Sequence, residues 1–316
     1  MITVGGTNIT VKGAPGSIID GNGGAWWDGQ GSNGGQPKYV QLIILKTFES
    51  RLTLFPRPDH FFVVENMLGT NVIHDLYIQN WPTHCFDITN VHNLEVYNIV
   101  LNNLAGNAPN SKSNGLPAAH NSDGFDVSGS DNISIHDNIV YNQDDCVAIT
   151  SGNNMEVYNM FCDGSHGLSI GSVGGKSKNN VTNIYFHDSI LNNVQNGARI
   201  KTNAGTTGYV ASITYENIAI RNASIYGIDI QQDYLNGGPT GFPTNGVIIK
   251  DIFMKNIAGT VCCGGLDVYI LCGSGSCSNI TLDDIAISGG VKSTCDFEPA
   301  GNFKCPLIPV PTNTTT

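Results

Sequence analysis

The chain has 316 residues, of which 40% are hydrophobic, so it is long enough to bury a large core. Its formal net charge of −11 argues against nucleic acid or an anionic membrane as a partner, because both are bound through clustered Lys and Arg side chains. No run of about 18 apolar residues occurs, and Met1 leads into strand-like sequence without a signal peptide, so we expect a soluble chain with a trimmed start.

Short segments rich in Ile, Val, Leu and Tyr recur along the chain, each bounded by Asn or Asp, and none shows a convincing helical period. Ile133 and Met155 occupy equivalent places in successive segments 22 residues apart, and later segments are longer. Short strands at this interval predict stacked coils. In chain order the segments are "TNVIHDLYIQN", "VHNLEVYNIVLNN", "SDNISIHDNIVYNQDD", "NNMEVYNMFCDG", "TNIYFHDSILNN", "ASITYENIAIRN", "GVIIKDIFMKN" and "SNITLDDIAISGG".

A right-handed parallel β-helix explains this repeat, because each coil has apolar faces above and below that only stacking can bury. Asparagines at the corners can hydrogen-bond turn backbones and one another. A β-sandwich is the alternative, but it favours hairpins marked by Asn-Gly or Asp-Gly pairs. We predict a single all-β domain over residues 1–305, followed by a disordered Pro/Thr-rich tail over residues 306–316.

Polar residues recur at the coil spacing just before three predicted strands. Asp123 lies 22 residues before Asp145, Asp144 adjoins it, and His166 follows Asp145 after 21 residues. In "DDCVAI" the apolar residues alternate, so an unbroken strand would carry Asp145 into the core, where an unpaired carboxylate is costly. The chain must therefore bend before each strand, and we expect these side chains at one exposed corner.

Two cations and a tyrosine follow on later coils. In "ARIKT", Ile200 is the inward residue, so Arg199 and Lys201 point outward on one face, and "IQQDY" ends at Tyr234. Each residue taken singly would be an ordinary turn or surface residue. Together, three carboxylates, an imidazole and two cations on one stretch of surface indicate a catalytic site.

Metal and nucleophile motifs fail on their context. "GLSIG" matches G-x-S-x-G but lacks the strand-to-helix turn of a nucleophile elbow, and the loop from Asp20 begins like an EF-hand but has Gly31 at its twelfth position. The cysteines lack zinc spacing. We predict no metal and no cofactor.

With these residues assembled, the sequence resembles the polygalacturonases, particularly the fungal endo-acting enzymes, which are right-handed parallel β-helices. Their motifs N-T-D, D-D, G-H-G and R-I-K correspond here to "NSD" (121–123), "DD" (144–145), "SHG" (165–167) and "RIK" (199–201). "IQNWPTHCFD", "YGIDIQQDY" and "LCGSGSCS" add to the similarity. Ser122 replaces Thr conservatively, whereas Ser165 replaces Gly and would crowd the substrate or fix the turn differently.

The resemblance implies hydrolysis of α-1,4 bonds between galacturonic acid residues of pectin, with inversion and by endo action. It implies that Asp144 is the general acid, that Asp123 and Asp145 orient and deprotonate the attacking water, and that His166 supports the acid.

The resemblance also implies a set of substrate-binding residues. Arg199 and Lys201 would bind the galacturonate carboxylate, Tyr234 would bind the sugar beside them, and Asn121 completes the set. The expected partner is therefore polygalacturonate, bound by a monomer.

Other readings stay open at this point. An exo-polygalacturonase, or a rhamnogalacturonan or xylogalacturonan hydrolase, would share the fold. A calcium-dependent pectate lyase would require a cluster of calcium-binding carboxylates, and a non-catalytic carbohydrate-binding β-helix would need no stacked carboxylates.

Nine cysteines and six N-x-S/T sequences predict a secreted glycoprotein. The resemblance and the spacing imply the disulfides Cys146–Cys162, Cys272–Cys277 and Cys295–Cys305. Cys85 is expected to pack as a small buried hydrophobe. Cys262 and Cys263 stay unassigned. The six acceptor sites are Asn8, Asn132, Asn180, Asn222, Asn279 and Asn313.

Residues 39–57 interrupt the family pattern, which would run directly from "GGQPK" into "PDHFFVVENM". A loop so rich in Leu, Ile and Phe would expose apolar surface. We interpret the segment as an aberrant insertion that translates a retained intron.

Overall fold

A computed structural model describes residues 1–33, 58–235 and 238–309, together with the backbone of residues 38–43 and 50–55. Short 3₁₀ helices lie at Gly23–Ala25, Gly31–Asn33 and Leu104–Gly106. The strands of the described residues are β1 (Ile2–Thr7), β2 (Thr10–Lys12), β3 (Ile19–Asp20), β4 (Lys38–Ile43), β5 (Ser50–Phe55), β6 (His60–Leu68), β7 (Asn71–His74), β8 (Tyr77–Gln79), β9 (His84–Thr89), β10 (His92–Tyr97), β11 (Val100–Asn102), β12 (Phe125–Ser128), β13 (Ser130–His136), β14 (Ile139–Tyr141), β15 (Val147–Ile149), β16 (Gly152–Tyr158), β17 (Phe161–Asp163), β18 (Leu168–Val173), β19 (Asn180–Asn192), β20 (Asn196–Asn203), β21 (Gly208–Ala223), β22 (Tyr226–Leu235), β23 (Gly238–Pro239), β24 (Val247–Val261), β25 (Leu266–Leu271), β26 (Cys277–Ser288) and β27 (Thr294–Cys295).

These strands form the three faces of a parallel β-helix. Face 1 is the sheet β1-β6-β9-β12-β15-β18-β20-β22-β25-β27. Face 2 contains β2, β7, β10, β13 and β16, face 3 contains β3, β8, β11, β14 and β17, and both continue into the long strands β19, β21, β24 and β26. Ile133 pairs with Met155 in parallel register, which confirms the coil spacing inferred from the sequence. The prediction of a right-handed parallel β-helix is confirmed.

The interior is filled by inward residues that stack from coil to coil. On face 1, Phe86 pairs with Phe125, which pairs with Val147, and that column continues to Leu168. The rings of Phe62, Phe86 and Phe125 have centroid spacings of 4.8 and 5.0 Å. Each fully buried side chain of this size contributes about 1.5–3 kcal/mol, so the stacked core accounts for much of the driving force for folding.

The corner between faces 2 and 3 is made by Asn and Asp residues in the left-handed backbone conformation. Asp75, Asn98, Asp137, Asn159 and Asp188 all have φ between 49° and 59°. These residue types tolerate that conformation because their short polar side chains hydrogen-bond locally. Asn159 Nδ2 donates to Asp137 Oδ1 at 3.0 Å, so the predicted ladder between coils is present.

Two segments bear on the predicted domain limits. Within residues 39–57, strands β4 and β5 pair in antiparallel register, and the remainder of that segment lies outside the described residues. In the tail, Cys295 N donates to the Pro306 carbonyl and Ile308 N donates to the Cys295 carbonyl. The ordered part therefore extends beyond residue 305, and residues 310–316 lie outside the description.

The cysteines pair as the resemblance implied. Disulfides join Cys146 to Cys162, Cys272 to Cys277 and Cys295 to Cys305. Cys85 is free and fully buried, as expected. The adjacent Cys262 and Cys263, left unassigned from the sequence, are bonded to each other.

Within the described ranges, no helix has the length and apolar character that a membrane crossing would require.

Candidate active site

One column of polar residues runs along the edge of face 1. Each member lies two residues before the first inward residue of its strand, and the registers His60↔His84, Phe86↔Phe125 and Asn196↔Tyr226 place them in one line. The chain bends at each of these positions, so the side chains leave the core column and point outward. In order, the column contains His60, His84, Asp123, Asp145, His166, Asn196 and Tyr226.

The column forms the floor of a groove of about 680 Å³. Asp123 and Asp144 are 7% exposed and Asp145 is 2% exposed. The expectation of an exposed corner was therefore wrong. The groove is also lined by Ser32 and by Pro239 of β23, which belong to segments outside the stacked coils. Buried carboxylates require partners, and each of the three has one.

Asp144 is held by three donors. Its Oδ1 lies 3.0 Å from His166 Nδ1 and accepts a bond from its neighbour Asp145 N at 2.8 Å, while Oδ2 accepts a bond from Asn121 Nδ2 at 3.1 Å. Burial alone would raise the pKa of Asp144, but the charge and hydrogen bond of His166, together with Lys201, hold that pKa below its usual range. The unliganded site therefore favours an ionised Asp144.

Asp145 is paired with Lys201. Lys201 Nζ lies 2.7 Å from Asp145 Oδ2, and Ser169 Oγ donates to Asp145 Oδ1 at 2.7 Å. Burial would lower the pKa of Lys201, but the Asp145 carboxylate outweighs burial and raises it. Lys201 is thus a fixed ammonium ion at the groove floor.

Asp123 faces the opposite end of the carboxylate group. Its Oδ1 accepts a hydrogen bond from His84 Nδ1 at 2.9 Å. Burial and the charges of Asp126 and Asp144 raise the pKa of Asp123 well above its usual range, and His84 opposes that rise. Asp123 is therefore the most easily protonated of the three carboxyl groups in the unliganded site.

Arg199 and Tyr234 complete the downstream side of the groove. Arg199 Nε donates to the fully buried Asp229 at 3.0 Å. Burial raises the pKa of Asp229 to about 7, although Arg199 opposes the rise. The Tyr234 ring lies 5.5 Å from the Arg199 guanidinium carbon and 5.2 Å from Lys201 Nζ. Two cations and one aromatic ring thus surround a single patch of groove floor.

The two departures from the family motifs do not line the groove. Ser165 is fully buried, and its Oγ accepts a bond from Gly167 N at 3.1 Å, so it fixes the turn before β18 rather than crowding a ligand. Ser122 Oγ donates to Gln143 Oε1 at 2.7 Å and accepts a bond from Gln143 N at 2.8 Å. Both serines support the loops that carry the carboxylates.

We assign no metal ligands in this groove. Oxygens of Asp123, Asp144 and Asp145 approach one another within 4.8 Å, but these carboxylates already bind His84, His166 and Lys201. The charges of the carboxylates are thereby compensated by side chains of the chain itself.

The structure brings every sequence-predicted residue into the same groove and adds neighbours that the sequence reasoning missed. Asp123, Asp144, Asp145, His166, Asn121, Arg199, Lys201 and Tyr234 all line it. The missed residues include His60, His84 and Asp126. The signal was available, because "THCFD" places His84 two residues before Phe86 just as Asp123 stands two before Phe125.

Comparisons with known proteins extend the geometry. The family described as Glycosyl hydrolases family 28 matches residues 1–304. A protein named polygalacturonase from Fusarium fujikuroi is 52% identical over 297 residues, which cover 94% of this chain and 75% of that protein. A probable endopolygalacturonase D from Emericella nidulans is 51% identical over 305 residues, which cover 96% of this chain and 55% of that protein. The chain thus spans little more than half the length of the second relative.

A solved structure shares the fold along most of the chain. Endopolygalacturonase I from Stereum purpureum, complexed with two galacturonate, superposes with a TM-score of 0.69 at 28% identity. The match covers 96% of this chain and 81% of that chain.

Proposed function

Because this chain belongs to glycosyl hydrolase family 28, we propose that it hydrolyses the α-1,4 bonds between galacturonate residues within polygalacturonic acid. The observation that carries the proposal is the groove floor, where three buried carboxylates lie beside two fixed cations. Carboxyl groups supply proton transfer at the glycosidic bond, and cations select an acidic sugar. The names of the two fungal relatives agree with endo action.

Substrate carboxylate binding is proposed at Arg199 and Lys201. Arg199 uses Nε for Asp229, so its two terminal nitrogens are available for a bidentate bond to a carboxylate. Tyr234 provides a ring beside both cations on which a sugar can pack. The patch is cationic although the chain carries a net charge of −11, which favours an anionic ligand at this point of the surface.

In the proposed mechanism Asp144 protonates the glycosidic oxygen, while Asp123 and Asp145 orient and deprotonate the attacking water. The unliganded site holds its proton on Asp123 instead. Binding of a galacturonate carboxylate places a negative charge beside Asp144 and competes with Asp145 for Lys201. Both effects raise the pKa of Asp144, so substrate binding moves the proton to the residue that must donate it.

Inversion at the anomeric carbon is part of the proposal. A retaining enzyme would use one carboxylate as a nucleophile, typically with the two carboxyl groups about 5 Å apart, whereas an inverting one needs room for a water, at about 6.5–9.5 Å. Oxygens of the three aspartates lie within 4.8 Å of one another, so the simple spacing rule favours retention. We follow the polygalacturonase resemblance, since a third carboxylate gives the water two acceptors.

Secretion is also proposed. Four disulfides join eight of the nine cysteines, and such bonds persist in oxidising compartments. Detection of the protein in culture medium, with the six acceptor sites mapped for glycans, tests the proposal. Recovery only from the reducing interior of the cell would contradict it.

The decisive experiment is incubation of the purified chain with polygalacturonic acid, measuring reducing ends and product sizes over time. We expect early oligomers of mixed length, a fast fall in viscosity, and initial release of the inverted anomer by proton NMR. The variant Asp144→Asn is the matched control. Monomer release from the first time point would replace endo action with exo action, and no reducing ends would refute the hydrolase.

A further inference from the structure

The histidine upstream of the three carboxylates has no role in the mechanism above. We propose that His84 is a positioning residue for the reaction, whose imidazolium orients the Asp123 carboxylate and favours its ionised form while Asp144 carries the proton. The inference rests on the proposed hydrolase function and adds a residue that the motifs do not contain.

The contacts of His84 are directed at Asp123. His84 Nδ1 lies 2.9 Å from Asp123 Oδ1 and 3.5 Å from Asp126 Oδ2. The His84 side chain is 16% exposed and that of Asp123 is 10% exposed, so little solvent screens the pair. Among the described residues, His84 is the one cationic side chain within ion-pair distance of Asp123.

Every element packed against His84 presents it with an acidic group or a ring. Asp59, before β6, lies 3.9 Å from His84 Nε2, and Asp126 of β12 approaches from the next coil. The ring of His60, in β6, stacks on that of His84 with centroids 4.8 Å apart. Burial lowers the pKa of His84, but Asp123, Asp126 and Asp59 outweigh burial and raise it to about 10.

This charge is needed when the reaction begins. With Asp144 protonated, Asp123 must be an anion to accept a proton from water. Burial, Asp126 and Asp144 all disfavour that anion, whereas His84 is the first group to favour it. Without the imidazolium, Asp123 would stay protonated over more of the acidic range, and its carboxylate would lose the bond that fixes its orientation.

The test compares His84→Gln with His60→Gln. Glutamine keeps a hydrogen-bond donor but removes the charge. We expect His84→Gln to lower kcat at pH 5 by about 10-fold or more, with a smaller change in KM, and to move the acidic limb of the pH–kcat profile upward by about one unit. His60 contacts Asp126 at 3.2 Å and does not contact Asp123, so His60→Gln should leave that limb within about 0.3 units of its original position.

Two further measurements keep the test decisive. The variant His84→Lys restores a cation and should move the limb back toward the wild-type position, which a purely structural role would not produce. Titration of the Asp123 carboxyl carbon by NMR should show a higher midpoint in His84→Gln, and this readout does not require activity. Loss of activity in the wild type would therefore refute the hydrolase, whereas an unchanged limb and an unchanged Asp123 midpoint would overturn the role of His84.

Discussion

The ion pair between Lys201 and Asp145 ties substrate recognition to the integrity of the groove. Lys201→Met removes the ammonium ion while keeping most of the length and apolar stem of the side chain. It leaves Asp145, 2% exposed, with the Ser169 hydroxyl as its remaining side-chain donor. Loss of one partner of a buried pair costs about 3–5 kcal/mol, because the other charge stays buried and unpaired. We expect a loss of that size in the free energy of unfolding.

Urea unfolding at pH 7 of the wild type, Lys201→Met, Asp145→Asn and the double variant measures this pair directly. Since the pKa of Lys201 is raised by folding, its contribution is fully present below the pKa of an unfolded lysine and is lost only as pH rises through the raised value. The double variant should recover part of the loss, since neither charge is left unpaired. The kcat of Lys201→Met should also fall, because Asp145 loses its orientation.

The reasoning fails if Lys201→Met costs less than about 1 kcal/mol, which is the range of an exposed pair. It also fails if the two single changes are additive in the double variant. Either result would mean that water screens the pair at the groove floor.

Four further predictions follow from the fold and the site. Asp144→Asn should lower kcat by about 10²–10⁴-fold with near-normal oligogalacturonate binding by calorimetry, and retention of more than about a tenth of kcat would contradict its role as acid. Because the raised pKa of Asp123 makes its ionisation unfavourable in the folded state, stability falls as pH rises through that window, and Asp123→Asn should stabilise the chain at pH 7 by about 0.5–2 kcal/mol in urea titrations. Phe86→Ala should cost about 3–5 kcal/mol because it empties the centre of a phenylalanine stack, and a loss below about 1 kcal/mol would mean that the coils collapse around it. Replacing Cys146 and Cys162 by Ala, which opens a bond with a sequence separation of 16, should cost about 3 kcal/mol in the same assay, and an unchanged midpoint would refute a stabilising role for that bond.

The fold was accessible from the sequence because a β-helix repeats one local pattern. The 22-residue step from Ile133 to Met155 is printed in the chain and is the observed register. The left-handed corners could be anticipated from residue type, since Asn and Asp tolerate that backbone conformation. The long strands β19, β21, β24 and β26 were less accessible, because the corner residue that separates faces 2 and 3 earlier in the chain interrupts neither pattern nor pairing there.

The site was accessible in its membership but not in its electrostatics. Spacing placed Asp123, Asp145 and His166 in one column, and motif resemblance added the rest. Burial could not be read from the same spacing, since it depends on segments such as the one carrying Ser32, which are distant in sequence. The pairing of Lys201 with Asp145 spans 56 residues and requires the coil stacking to be known.

The asparagine ladders separate the phase of the coils from the length of the loops between them. Asn132 donates to Asn93 across 39 residues, and Asn154 donates to Asn132 across only 22, yet the three side chains lie on consecutive coils. The extra length includes residues 103–122, whose last part carries Asn121 into the groove wall. Doubling the length of such a loop costs only about 0.6 kcal/mol in closure entropy. Insertions and deletions there can therefore reshape what the groove admits, while the catalytic column keeps its alignment.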